Sequence, residues 1–185
     1  ILTYFVNSIE SNGRLTPYSM VSAATRHEPF KSYVPEAGGQ EERITLTKWL
    51  ADDLGAEISD EVTISYYVLT EDFRLEQEES LFRVSSIIPM HTAGLEPELM
   101  PDFPGFKDAE NCGDWSSPVP LDFSRIRDKD ERYWDKYRGT PKALINLDTA
   151  LKLWAGKHGS LTEIRIDSTE FSSESVSEFI TSNVD

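Results

Sequence analysis

Between residues 44 and 69 the spacing of apolar positions changes period once, and the change separates a helix from a strand. Leu46, Trp49, Leu50 and Leu54 recur at helical spacing while Lys48, Asp52 and Asp53 point away, which predicts a half-buried helix of about two turns. Thr47 offers a hydroxyl to the orphan N–H groups of the first turn, and Gly55 can take the positive φ that ends a helix. Ser59-Asp60-Glu61 then turns the chain. Val62, Ile64, Tyr66 and Val68 alternate with Thr63, Ser65, Tyr67 and Leu69, the period of two that marks a strand.

The same reading extends to both ends of the chain. Residues 2–10 and 15–22 form a predicted hairpin around Ser11-Asn12-Gly13-Arg14, because Asn-Gly tolerates the positive φ angles of a type I′ turn. Residues 25–41, with Pro29, Pro35 and Gly38-Gly39 among charges, read as a connection and a lobe boundary. The 62–69 strand is paired by residues 75–88 after a turn near Thr70-Glu71-Asp72, with Phe82, Val84 and Ile88 on one face. Six of the ten prolines fall between Pro89 and Pro120, together with Phe103, Phe106 and Trp115, the pattern of an irregular excursion held by aromatic burial.

From residue 122 a helical pattern returns: Ile126, Tyr133, Trp134 and Tyr137 form an aromatic stripe, Arg127/Glu131 and Asp128/Arg132 stand four apart, and Gly139 can end the helix. A strand over 142–147, a helix capped by Asp148 and running to about residue 155, a turn bounded by Gly156 and Gly159, and a strand over 161–166 follow. A last helix starts near Ser175, where Ser175-Val-Ser-Glu178 has capping-box spacing, and buries Val176, Phe179 and Ile180. The expected fold is α+β in two lobes: an α/β sheet lobe built from both chain ends, and an inserted β-rich lobe with one short helix. The segments are 1–41, the N-terminal part of the α/β lobe; 42–89, the inserted lobe; 90–139, the excursion and its helix; and 140–185, the C-terminal part of the α/β lobe.

Composition narrows the partners. At 185 residues with 38% hydrophobic and 11% aromatic residues, the chain can bury a sizeable core. Its net charge of −15 disfavours nucleic acid, whose binding depends on lysine and arginine displacing counterions, and anionic lipid is repelled on average. Cys112 is the one cysteine, so there is no intramolecular disulfide. No run approaches the roughly 20 apolar residues of a membrane helix. The abrupt start, Ile1-Leu-Thr-Tyr-Phe-Val, has the look of a piece of a longer protein.

Candidate chemistry is sparse. His27, His91 and His158 stand far apart without metal-ligand spacing, and read as loop histidines. Cys112 sits in Glu110-Asn-Cys-Gly-Asp114, where acidic neighbours raise a thiol pKa, so a structural cysteine fits better than a nucleophile. There is no Gly-x-Ser-x-Gly elbow and no phosphate-binding glycine motif. The acid pairs Asp52/Asp53, Glu71/Asp72, Glu78/Glu79 and Asp128/Asp130 read as solvated faces among 33 acidic residues. Tyr133, Trp134 and Tyr137 are residue types of binding hot spots, yet at helical spacing they are more often a helix's core face. No catalytic residue, cofactor-binding residue or metal ligand is assigned.

The order Leu-Ala-x-x-Leu-Gly-x-x-Ile-x-Asp-x-Val, from Leu50 to Val62, resembles the extracytoplasmic domain of FtsX-like, MacB-type ABC transporter permeases, as does the strand Phe82-Arg-Val-Ser-Ser-Ile-Ile-Pro89. A second matching stretch is Lys142-Ala-Leu-Ile-Asn-Leu-Asp-Thr-Ala-Leu-Lys-Leu-Trp154 with Ser160-Leu-Thr-Glu-Ile-Arg-Ile166. The likeness covers residues 42–89 and 140–167. It departs at Ser59, where the family usually has glycine; a positive φ there would strain serine by about 1 kcal/mol or more.

The resemblance implies a non-catalytic domain on the extracytoplasmic face of the bacterial inner (cytoplasmic) membrane, periplasmic in a Gram-negative cell. Such a domain relays ATP-driven motion of membrane helices to an exported substrate or partner protein. Its partners would be a cytoplasmic ABC ATPase, acting through membrane helices before residue 1 and after residue 185, and a second permease copy or an adaptor protein. The connections near 35–41 and 89–104 are then candidate hinges between the lobes. An exported carboxylate-dependent hydrolase and a secreted protein-binding module are the alternative readings.

Overall fold

Asn12 and Gly13 take positive φ, 52° and 71°, and turn β1 (Leu2–Ser11) back onto β2 (Arg14–Ala24), as the Asn-Gly signal predicts. The ladder runs from Leu2 opposite Ala23 to Ser11 opposite Arg14 and breaks at Asn7 opposite Tyr18, where Tyr18 has a φ of 36°. The computed structural model describes residues 1–37, 39, 41–70, 72–103, 105–106, 108–116, 119–156, 159–166 and 172–183. Glu71 and His158 lie outside the described residues, as do the side chains of Phe179 and Ile180.

The central element formed as its pattern requires. β3 (Arg43–Thr47) leads into α1 (Lys48–Leu54), whose first turn is capped by the Thr47 hydroxyl accepting from Leu50 N, and Gly55 ends the helix at φ 61°. A side chain there would also meet the Arg14 guanidinium at 2.8 Å. β4 (Glu61–Leu69) and β5 (Leu75–Ile88) pair from Glu61 opposite Arg83 to Leu69 opposite Leu75. Leu46 belongs to β3 rather than to the helix, and Asp53 does not point to solvent: its side chain is 2% exposed.

Six strands close into one barrel in the order β1-β2-β6-β3-β5-β4, where β6 is Ala143–Asn146. β2/β6 and β3/β5 are parallel and the other neighbours antiparallel. The fold is therefore mixed α and β, as expected, but the strands of 42–89 share one barrel with those from the chain ends, through β3 against β6 and β4 against β1. A separate inserted sheet would expose two strand edges, and closure pairs them. Val6, Ile9, Val21, Ile44, Ile64 and Phe82 fill the same buried core.

α1 follows β3, while α3 (Leu147–Trp154) follows β6, which runs antiparallel to β3, so the two helices close opposite ends of the barrel. Leu50 and Leu54 enter the core from one end. Trp154 enters from the other, stacked on Tyr4 with ring centroids 4.9 Å apart. Outside, Phe30, Tyr33, Val34, Leu95 and Leu99 form a second buried layer with Ile88 and Leu144. Phe5, Tyr18, Phe106, Trp115 and Trp134 form a third, so the 90–139 excursion is wrapped on the barrel by its aromatic side chains.

The C-terminal expectations are corrected in four places. Asn146, not Asp148, caps α3, its side chain accepting from Asp148 N at 2.9 Å. α2 (Asp128–Tyr137) ends at Arg138, with φ 51°, one residue before Gly139. Residues 161–166 form no strand: Thr162 N and Glu163 N donate to Ile1 O, and Thr3 N donates to Thr162 Oγ1, which makes them a strap along the start of β1. α4 (Ser173–Asn183) begins before Ser175, the Ser172 hydroxyl accepts from Ser175 N, and Val176 is only half-buried.

Ser59 takes φ 77°, so this turn keeps the left-handed conformation with serine in place. The αL region costs a non-glycine residue about 1–2 kcal/mol, and glycine's extra freedom in the unfolded chain returns about 0.4–1 of that. Ser59→Gly is therefore expected to stabilise the domain by about 0.5–1 kcal/mol, readable as a Tm rise of roughly 2 °C. An unchanged or lower Tm would show that the turn is relaxed.

Candidate functional site

The charged residues that the sequence assigned to solvent converge between α1, α2 and β2. Asp53 accepts from the Thr16 hydroxyl at 2.6 Å and from Arg127 Nη2 at 2.7 Å, and pairs with Lys129 through its other oxygen. Asp130, also buried, accepts from Arg127 N at 3.0 Å, Arg127 Nε at 2.7 Å and Arg127 Nη2 at 2.8 Å. Arg127 Nη1 completes the fork on the Leu15 carbonyl at 2.8 Å. The expected Arg127/Glu131 pair is replaced: Arg127 serves the two aspartates, and Glu131 accepts from Cys112 N at 2.9 Å.

Lys142 lies beneath this cluster. Its ammonium stands 3.9 Å from Asp130 Oδ1, 4.6 Å from the Trp49 ring centroid and 4.7 Å from that of Tyr133. Burial pulls its pKa down to about 8, the Asp130 carboxylate opposing. Cys112 is buried as well, and burial first, then Glu131, pushes its thiol pKa up, away from the thiolate a nucleophile needs. A cavity of about 30 Å³ reaches Cys112, Trp115, Asp130 and Lys142, the size of a water molecule rather than of a substrate.

This arrangement is a structural tie. Both oxygens of Asp53 and of Asp130 are occupied by cationic donors, so neither is presented to a substrate as paired glycosidase carboxylates must be. The cluster instead ties α2 to β2, to α1 and to the residue leading into β6. Tyr133 and Trp134 resolve toward the core, both buried, with the Trp134 indole donating to Ala109 O at 3.1 Å; Tyr137 is half-buried. His27 and His91 are exposed, and among the described residues no group of three or more His, Cys, Asp or Glu side chains could hold a metal.

A surface of different character lies at the α3 end of the barrel. β4 ends and β5 begins there, because β4 runs antiparallel to β1 and β1 starts at that end. Leu69, Phe73 and Leu75 at this hairpin's tip stay exposed, as do Leu161, Ile164 and Ile166 of the strap beside Ile1. Residues 75–82 of β5 also fall outside its ladder with β3, which begins at Arg83. Neither charge nor periodicity singled out this end, since the strap reaches it through hydrogen bonds to Ile1 and to Thr3, 159 residues away from Thr162 in sequence.

Comparison of the chain with protein families and with curated proteins gives no match.

Proposed function

We propose that this chain is the non-catalytic extracytoplasmic domain of an ABC transporter permease, passing ATP-driven motion of membrane helices to an exported substrate or partner. The observation that carries the reading is the α3 end of the barrel. Ile1 N donates to Glu163 O at 2.8 Å and Thr3 N to Thr162 Oγ1 at 2.9 Å, so segments 1–3 and 162–163 run side by side. Membrane helices joined to these segments would grip one end of the barrel, the end at which Phe73, Ile164 and Ile166 are exposed. A surface that faces other protein or the membrane boundary would account for large apolar side chains left exposed at that end.

The relay is a rigid-body one. Segments 25–37 and 89–99, which overlap the candidate hinges near 35–41 and 89–104, are packed on one another and on the barrel: the Tyr33 hydroxyl donates to Ala93 O at 2.6 Å, and Asn146 Nδ2 donates to Pro35 O at 2.9 Å. Gly94 has φ 80°, and a Cβ there would lie 2.5 Å from Pro29 Cγ. Contacts this close resist bending, so the domain moves as a single body about its attachment to the membrane helices. A second reading, a protein-binding module, draws on the open β5 edge at 75–82, which in the permease serves as a docking edge for substrate or adaptor.

The test uses the full-length protein in intact bacterial cells carrying Ile58→Cys, a position 62% exposed at the α1 end of the barrel. A membrane-impermeant maleimide is expected to label this cysteine before lysis, while the buried Cys112 stays silent until the protein is unfolded. Labelling only after lysis would overturn the extracytoplasmic assignment.

A further inference from the structure

β5 leaves part of one edge unpaired, and its hydrogen bonds show which backbone groups are free. Val84 N donates to Asp60 O at 2.9 Å and Val84 O accepts from Ser59 N at 2.8 Å, so Val84 turns its backbone groups toward the β4 side. Arg74 O accepts from Thr70 N at 2.9 Å on that same side, while Arg83 N donates to Glu42 O at 2.9 Å on the side of β3. The β4/β5 register is continuous from Leu75 to Arg83, so the direction of the backbone groups alternates at every residue between them. Leu75, Gln77, Glu79 and Leu81 therefore point N–H and C=O away from β4, where β3 pairs only from Arg83 onward. Among the described residues no other group hydrogen-bonds to them there.

This edge has room for a strand. From Leu75 to Leu81 it runs for about 20 Å. Residues 75–79 are exposed on both faces, and neither a proline nor a bulge, the usual protections of a free edge, interrupts it. Charge is what guards it. Glu76, Glu78 and Glu79 have no ion-pair partner among the described residues, and no lysine or arginine lies in 75–82. The flanking arginines are engaged elsewhere, Arg74 with Asp72 and Arg83 with Glu41 and Glu61. A second copy of the chain is a poor fit, because antiparallel self-pairing centred on Gln77, Glu78 or Glu79 sets one glutamate opposite another in each case.

We infer that the 75–82 edge takes up an extended, lysine- or arginine-bearing segment of a partner polypeptide as an added strand. The inference rests on the reading above that this edge docks a substrate or adaptor, and it supplies that partner's chemistry. Unpaired N–H and C=O groups at strand spacing are met by another strand's backbone, while the side chains opposite the edge set the choice of partner. Bases opposite Glu76, Glu78 and Glu79 convert the repulsion that blocks self-pairing into attraction, and apolar residues suit the exposed Leu75 and Leu81 at the two ends.

The experiment is titration of the 185-residue chain with the capped peptide Leu-Thr-Lys-Lys-Thr-Lys-Leu, whose lysines fall opposite Glu79, Glu78 and Glu76 in an antiparallel register. It is expected to bind about ten-fold or more tightly than the same peptide with glutamate in place of lysine. Glu76→Lys combined with Glu78→Lys should abolish that preference. N-methylation of one alternate set of peptide residues should abolish binding and methylation of the other set should not, a distinction that plain charge attraction does not make. Gln77→Pro removes an outward N–H while sparing the ladder to β4, and should weaken the peptide about ten-fold in a chain that thermal melts show to be folded. No binding of the lysine peptide at millimolar concentration, binding indifferent to the methylation pattern, or a preference that survives the charge reversal would overturn the inference. So would self-association of the chain that Gln77→Pro abolishes, since the edge would then belong to a second copy. The labelling of Ile58→Cys is untouched by any of these results and decides the membrane side independently.

Discussion

Asp130→Ala is expected to destabilise the domain by about 3–5 kcal/mol, the scale of breaking a buried ion pair by removing one partner. Three hydrogen bonds from Arg127 are lost, Nη2 alone keeping Asp53 as acceptor, and the Lys142 ammonium loses its carboxylate and is left against the rings of Trp49 and Tyr133. The penalty is thus the isolated cation more than the lost attraction. If so, Asp130→Ala combined with Lys142→Met should be markedly more stable than Asp130→Ala alone, since no unpaired charge remains inside. Urea unfolding measures both, as a fall in midpoint at constant slope for the single variant and its partial recovery in the double. A loss below 1 kcal/mol would mean that water reaches the cluster and the tie between α2 and the barrel is weak.

The second large effect is one of pH. Burial holds the Lys142 pKa at about 8 in the folded domain, against an unfolded value near 10.4. Below pH 8 both states carry the proton, and the folded state bears the full desolvation cost, roughly 3 kcal/mol. Between pH 8 and about 10.4 the unfolded chain binds more protons than the folded one, so stability rises with pH for this group. Cys112 and Tyr133, both with raised pKa values, act in the opposite sense at alkaline pH and mask the effect in the wild type alone. The quantity to measure is the stability of wild type minus that of Lys142→Met, where those contributions cancel. It should move in favour of wild type by about 2–3 kcal/mol between pH 7 and pH 10. A difference independent of pH would show that Lys142 titrates as a solvated lysine.

What could be read in the sequence was what short-range physics decides. Asn12-Gly13, the Thr47 cap, the Gly55 stop and the alternation from Val62 to Leu69 each depend on neighbours a few residues away, and each formed as expected. Barrel closure was not legible, because β1 meets β4 and β3 meets β6 across long separations that no local pattern encodes. The strap at 161–166 alternates like a strand, yet β1 offers it hydrogen bonds only at residues 1 and 3. Asp53 and Asp130 were misread for a related reason: a carboxylate on a helix looks solvated until the arginine that buries it is placed. A usable signal was Lys142 itself, a lysine leading directly into the apolar run Ala143-Leu144-Ile145, which has to find an acid inside.

The proposed relay of motion as one body is tested most directly by spin-label distances in the full-length protein together with the ATPase that the proposal assigns to it. With labels at Asp135→Cys on α2 and Glu76→Cys on β5, both exposed positions, the distance between them should be the same with ATP bound and without nucleotide, while the distance of either label from the membrane surface changes. A change in the distance between the two labels, or no movement of either relative to the membrane, would contradict the account.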